Sequence, residues 1–168
     1  MKTLVTYVSN TGNTRRVAEA IFGEVPGEKE FGELSGIESL EAYDLIFIGF
    51  PINAGGPNPA AKEFIENNVA GKTVAVFTTH GAPEDHEDVA GWLAACREAA
   101  SEADLLGLFD CQGEVDQAII DFLLKADDPK LRAFGEAGAS GEGKGQPDES
   151  RIERAREFAR EVIAKAGD

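Results

Sequence analysis

YVSNTGNTRRVAEAI, residues 7–21, changes periodicity within a single short run. Leading into it, Leu4 to Val8 alternate along a branched and aromatic stretch, which predicts a strand; beyond it, Val17, Ala18, Ile21 and Phe22 recur at helical spacing. The small polar residues between them are therefore a strand-to-helix turn. That turn offers backbone N–H groups at a helix start, several hydroxyl and amide side chains, and a glycine, Gly12, that permits close approach. Two readings are open. The run suits a phosphate held by neutral hydrogen bonds and the helix dipole, because the loop has no Lys or Arg and Arg15 and Arg16 stand just outside it. It equally suits ordinary helix capping, for which Thr11 and Thr14 are the usual residue types.

Downstream the same alternation repeats. Glu28 to Phe31 is a short possible strand inside a Gly- and Glu-rich stretch, and DLIFIGF, residues 44–50, is a continuous apolar run bounded by Pro51, as expected of a central strand covered on both faces. PINAGGPNPA then reads as a long Gly/Pro turn and AAKEFIENNV as a helix with Pro59 near its first turn. Lys72 to Thr79 is a strand, HGAPEDHED a loop, Val89 to Ala100 an Ala-rich helix and Asp104 to Cys111 another strand. Val115 to Ala126 carries apolar residues at helical intervals, and Glu136 to Gln146, with almost nothing to bury, predicts an exposed mobile loop. The closing helix buries Ile152, Ala155, Ala159, Val162 and Ile163 on one face.

Strands alternating with helices imply parallel pairing through right-handed crossovers, hence an α/β doubly wound five-stranded parallel sheet with helices on both faces. In that fold ligands sit beyond the carboxyl ends of the strands, which selects the loops after Val8, Phe50, Thr79 and Cys111. At 168 residues and 42% hydrophobic content the chain is read as one domain, with an insertion at about 115–147 before the last helix.

A formal net charge of −15 makes nucleic acid and anionic membranes unfavourable partners and basic proteins favourable ones. No apolar stretch approaches the roughly 18 residues of a membrane span, and the N-terminus carries no visible targeting signal, so a soluble protein is expected. Cys96 and Cys111 stand far apart without metal-type spacing, which favours a reduced cytoplasmic setting; His80 and His86 make a poor metal pair, and no metal is expected. The first loop has neither G-x-G-x-x-G nor G-x-x-x-x-G-K-[ST], and GEGKGQ near residue 143 follows no strand, so dinucleotide and Mg-nucleotide readings lose their signatures.

TYVSNTGNT, directly after the first strand, resembles the phosphate loop of flavodoxins, with an [ST]-x-T-G-x-T core at Ser9, Thr11, Gly12 and Thr14. The likeness runs along the whole chain: DLIFIGFP with its Gly-rich turn is similar to the family's first flavin-contacting loop, TTHGAPED to its second, and LFDCQGEV to the last strand of its longer members. The resemblance implies the flavodoxin strand order 2-1-3-4-5 and bound FMN. The phosphate would lie on Ser9, Asn10, Thr11, Gly12, Asn13 and Thr14. The ring would lie between Pro51, Ile52, Asn53, Ala54, Gly55 and Gly56 on one side and Thr78, Thr79, His80, Gly81, Ala82 and Pro83 on the other, with Cys111 and Gln112 nearby. The glycines at Gly55 and Gly56 are either a tight turn or a peptide free to flip beside flavin N5. His80 either meets a flavin edge or caps the next helix. The sequence departs from the family in offering no Trp or Tyr in either ring loop, which leaves Pro51, Ile52 and Ala82 to sandwich the ring. Trp92 sits beside Val89, Leu93 and Cys96 in a helical pattern and is expected in the core, and Cys111 is expected as a buried structural thiol.

On this resemblance the expected function is electron transfer between redox partner proteins that bear basic docking faces, by a monomeric carrier. The alternative is an FMN-dependent reductase of NAD(P)H, quinones or a small substrate, or the flavodoxin-like subunit of one. A phosphate-accepting receiver domain shares the sheet order but needs acidic residues at the first strand end and an Asp at the third. Those places hold Val8-Ser9-Asn10 and Phe50-Pro51. A scaffold of the same fold that has lost FMN is the remaining alternative.

Overall fold

The structure is a computed structural model that describes residues 1–167. Along the chain, β1 (Lys2–Tyr7), α1 (Asn13–Glu24), β2 (Glu28–Glu33), β3 (Leu45–Asn53), the two-residue β4 (Gly56–Pro57) and α2 (Pro59–Asn68) come first. They are followed by β5 (Thr73–His80), α3 (Val89–Ala99), β6 (Asp104–Gln112), α4 (Gln117–Leu124), α5 (Pro129–Ala139) and α6 (Glu149–Gly167). Five strands pair in parallel in the order β2-β1-β3-β5-β6, and β4 turns back antiparallel on the end of β3. Leaving β4 aside, this is the order 2-1-3-4-5 that the resemblance implied.

The strand period of two divides the sheet's apolar residues between two cores. Val5, Tyr7, Phe47 and Phe77 face α1 and α6, where Val17, Ile21, Ala155, Ala159 and Val162 meet them. Leu4, Ile46, Ile48, Phe50 and Val76 face α2 and α3, against Ile65 and Cys96. Every residue from Leu45 to Phe50 is buried, which explains why that strand reads as unbroken apolar sequence. Each fully buried large side chain contributes about 1.5–3 kcal/mol, so the sheet itself carries much of the stability and the loops at its carboxyl edge rest on a firm base.

Two expectations are corrected. The stretch after Phe50 is a tight hairpin: β3 runs on through Asn53, Ile52 pairs with Pro57 and Asn53 with Gly56, and the reversal falls on Ala54 and Gly55 at φ 49° and 80°. Two successive left-handed residues are the mark of a type I′ turn, whose twist matches the flanking strands. Glu136 to Gln146 is also not simply a loop. Its first four residues complete α5, which Asp128 starts by accepting from the Lys130 and Leu131 N–H groups, with Pro129 at the first turn.

Gly138 of that stretch and Gly135 just before it form the contact between α4 and α5. A Cβ at Gly135 would stand 2.8 Å from the Leu124 backbone N, and one at Gly138 would stand 2.9 Å from Ile120 Cγ1. Glycine here allows the two helices to approach closely. Gly135→Ala adds about 1 kcal/mol of helix propensity but drives a methyl into backbone that cannot yield, so the hairpin is expected to open. Amide hydrogen exchange should speed up across residues 117–139 while strand amides keep their protection; unchanged exchange in α4 would contradict the tight contact.

Candidate functional site

The loops after β1, β3, β5 and β6 converge on one cavity of about 540 Å³ at the carboxyl edge of the sheet. The β1 loop supplies Ser9, Asn10, Thr11, Asn13 and Thr14 to its wall. Gly12, at φ 95°, is the residue on which α1 begins, and its N–H donates to Ser9 Oγ at 3.1 Å. No side chain caps α1, whereas Asn58 caps α2, Asp116 caps α4 and Asp128 caps α5. Thr11 and Thr14 are thus not caps. The first N–H groups of α1 have no partner within their own helix, and the positive end of its dipole lies at the cavity. Thr14 is buried and shares a 2.8 Å hydrogen bond with Thr79, joining the first turn of α1 to the end of β5. Asn13 Nδ2 donates to the Glu114 carbonyl at 2.8 Å and so ties the loop to the chain leaving β6. Arg15 turns to Glu19 at 2.8 Å. What faces the cavity here is a nest of neutral donors.

The hairpin after β3 brings Pro51, Ile52, Asn53, Ala54 and Gly55 to the cavity wall. It is clipped shut by Asn58, whose N–H donates to the Pro51 carbonyl at 3.1 Å and whose Nδ2 donates to Asn53 Oδ1 at 2.9 Å. Ala54 at φ 49° holds a conformation that costs an L-residue about 1–2 kcal/mol.

From β5, Thr79, His80, Gly81 and Ala82 reach the cavity. The His80 ring lies 2.8 Å from the Ala82 carbonyl through Nδ1 and 3.0 Å from Asp110 Oδ2 through Nε2. The ring is thereby held between its own loop and the neighbouring strand β6. His80 is a clamp on its own loop rather than a cap for α3, which begins at Asp88 without a side-chain cap. Glu84 fastens the same loop from behind, accepting from Arg151 Nε and Arg154 NH2 at 2.8 Å each and from the Gln112 N–H at 3.2 Å.

Six of the residues expected at the site lie off the cavity wall. Gly12 acts through its backbone, and Gly56 belongs to the returning β4. Thr78 is buried and donates to the Phe50 carbonyl at 2.7 Å, and Pro83 lies just past the wall. Gln112 supports from beneath, its Nε2 donating to the Gly81 carbonyl at 3.1 Å. Cys111 faces the core on the α1 and α6 side. Burial pushes its thiol up to about 12, and that of Cys96 likewise to about 12. At pH 8 both cysteines should therefore ignore a disulfide reagent in the folded protein and react fully in denaturant; rapid reaction of either in the native state would place it at an accessible site.

The structure also adds residues that the sequence did not single out. Trp92, expected in the core, is half-buried on the cavity wall, with its Nε1 only 3.2 Å from where a Cβ of Gly55 would stand. The missed signal was its position in the first turn of a helix that follows a strand, level with the strand ends; Cys96, one turn on, is the residue that reaches the core. Around Trp92 gather His80 at 5.9 Å, His86 at 6.4 Å and Phe134 of α5 at 6.2 Å between ring centroids. The α4–α5 hairpin roofs this side with Ile119, Leu123, Leu131 and Phe134, and Lys130 anchors it to Asp88 at 2.8 Å. Asp88, Glu114, Asp116, Asp128 and Glu142 make the remaining wall acidic. No cluster of three or more potential metal ligands occurs among the described residues.

Residues 4–160 match the flavodoxin domain family. The chain belongs to that family. This flavodoxin-domain chain is 30% identical over 175 residues to the flavodoxin-like domain-containing protein BilS of Clostridioides difficile (strain CD3), covering 99% of this chain and 98% of that one. It is 29% identical over 140 residues to the BilS protein of Clostridium symbiosum (strain WAL-14163), covering 72% and 73%. Among solved structures it is similar to oxidised Flavodoxin 2 from Bacillus cereus, with a TM-score of 0.63 at 21% identity over 98% of this chain and 99% of that one. It is also similar to a flavoprotein from Lactobacillus acidophilus NCFM, solved in complex with FMN, with a TM-score of 0.51 at 21% identity over 72% and 97%. At those identities the structural likenesses establish the fold, and the flavodoxin domain accounts for the observed strand order.

Proposed function

We propose that this protein binds FMN at the cavity and works as a flavodoxin-type electron carrier between redox partner proteins. The observation that carries the reading is the start of α1. Asn58, Asp116 and Asp128 turn their side chains onto the first N–H groups of α2, α4 and α5, whereas no side chain caps α1. The helix α3 also lacks a side-chain cap, but it starts at the acidic Asp88, which does not suit an anion. An uncapped, glycine-opened helix start lined by Ser9, Thr11 and Thr14 has the donor chemistry a phosphate ester requires. The fit extends to the ring: Pro51 to Gly55 and Thr79 to Ala82 offer two facing walls, and Trp92 and Phe134 offer the aromatic surface that the two loops lack. The solved FMN complex of the Lactobacillus acidophilus flavoprotein, which has the same fold, adds support.

Bound FMN would supply reversible electron uptake, chemistry that no side chain here provides. The chain's own residues would hold and insulate the group. Thr11 and the α1 N–H groups would fix the phosphate, the Asn58-clipped hairpin and the His80-clamped loop would fix the ring plane, and the acidic wall would disfavour added negative charge on the ring. Among the described residues no helix is long and apolar enough to cross a membrane. With a net charge of −15, partner docking would be guided by basic faces and would weaken as salt rises.

The visible absorption spectrum of purified protein, with and without added FMN, tests the reading. A flavin band, retained on gel filtration, is expected; no band and no uptake of added FMN would remove it. The second reading, a reductase or a subunit of one, is favoured by the apolar roof of Ile119, Leu123 and Leu131 over the cavity, and steady NAD(P)H oxidation by the FMN-loaded protein would select it.

A further inference from the structure

Apart from Met1, every large hydrophobic residue exposed among the described residues lies on the α4–α5 hairpin: Ile119 at 48%, Phe122 at 71%, Leu124 at 37% and Leu131 at 42% relative exposure. In α4 only Ile120 is buried, against α5, so the apolar face that the sequence sends along residues 115–126 does not pack on the sheet. Burying a side chain the size of phenylalanine is worth about 1.5–3 kcal/mol, and an otherwise strongly acidic surface leaves this patch open at one place only. Ile119 and Leu131 also line the cavity, so the patch is continuous with its mouth.

Charge decides what can cover it. Glu114, Asp116, Asp121, Asp127 and Asp128 outnumber Lys125, Lys130 and Arg132 along the hairpin, and Lys130, which lines the cavity, is already paired with Asp88. A second copy of this chain would bring the same acidic rim and another net charge of −15 against it. The complementary surface is an apolar pocket ringed by Lys and Arg. We propose that the α4–α5 hairpin is the docking platform for a redox protein of that chemistry, with Phe122 as the anchor residue and the acidic flank as its register. Such a partner would sit directly over the cavity mouth. The assignment rests on the electron-carrier reading for the word redox, while the docking itself is a property of the hairpin.

Phe122 is outside the cavity wall, so Phe122→Ser should leave FMN uptake and thermal stability unchanged, which separates this proposal from the cofactor reading. A photo-crosslinking phenylalanine analogue at position 122, with Glu66 on α2 as the control position, would be used in the native host to identify the covering protein. That protein would then be purified and titrated against FMN-loaded wild type and Phe122→Ser at low and high salt. The expected result is a crosslink at 122 to a protein that holds a redox centre, at least about a 30-fold loss of affinity in Phe122→Ser, and weaker binding at high salt. A crosslink to a second copy of this chain, a crosslink to a protein without a redox centre, no crosslink at 122, or equal affinity for the wild type and the variant would each overturn it.

Discussion

Thr11→Ala is expected to weaken FMN binding by about 10- to 100-fold while leaving riboflavin within about threefold, because a hydrogen bond to a charged group is worth about 1.5–3 kcal/mol and only FMN carries the phosphate. Thr11 is the informative member of the loop. It lies exposed on the cavity wall and caps nothing, whereas Thr14 is buried and bonded to Thr79, so that its removal would also disturb the join between α1 and β5. Fluorescence titration of both flavins against wild type and variant, with melting curves to confirm equal stability, measures the ratio directly. Equal losses for the two flavins would mean that the loop does not hold the phosphate, and unchanged FMN affinity would move the phosphate away from α1 altogether.

Gly49→Ala is expected to cost about 3 kcal/mol of stability and to lower Tm by roughly 6–12 °C, at the upper end of overpacking effects for a chain of this size. Gly49 sits in the middle of β3 with the ring of Phe77, its register neighbour on β5, laid across it, and a Cβ would overlap that ring. Phe77 is fully buried in the core beneath the site, so it has nowhere to turn. Chemical denaturation followed by far-UV circular dichroism checks the figure. Phe77→Leu in the same chain should restore part of the loss, because the smaller side chain vacates the space; a Gly49→Ala protein as stable as the wild type would show that β3 and β5 can part without penalty.

Several features were legible along the chain because their causes are local. The run from Leu45 to Phe50 is apolar without interruption, and only a strand buried on both faces calls for that pattern. The apolar face of α6 was readable for the same reason: Ile152, Ala155, Ala159 and Val162 recur at helical spacing and all are buried, with Ile163 at the edge. The polar run Ser9 to Thr14 declared a strand-to-helix turn at the carboxyl edge of a parallel sheet. It did not declare whether those hydroxyls cap their own helix, since capping and phosphate binding use the same residue types.

The errors share a different origin. Glu136 to Gln146 reads as loop because it has almost nothing to bury, yet the missing Cβ of Gly138, like that of Gly135 before it, is what lets α5 lie on α4, a benefit visible only when the other helix is in place. Trp92 was assigned to the core from helical spacing, which specifies a face of a helix but not the height along it at which a cavity opens. The clamp on His80 involves Asp110, thirty residues away on the neighbouring strand.

From residue order alone, then, follow the alternation of strands and helices, the parallel sheet and the polar loop at its edge, since propensity and period act between neighbours a few positions apart. The tertiary structure decided that the helix behind that loop is uncapped, that Trp92 and Phe134 stand at the cavity, and that a helical hairpin leaves Phe122 facing solvent beside its mouth. Those outcomes depend on contacts between segments far apart in sequence, and no local pattern encodes which side chain a distant helix will cover.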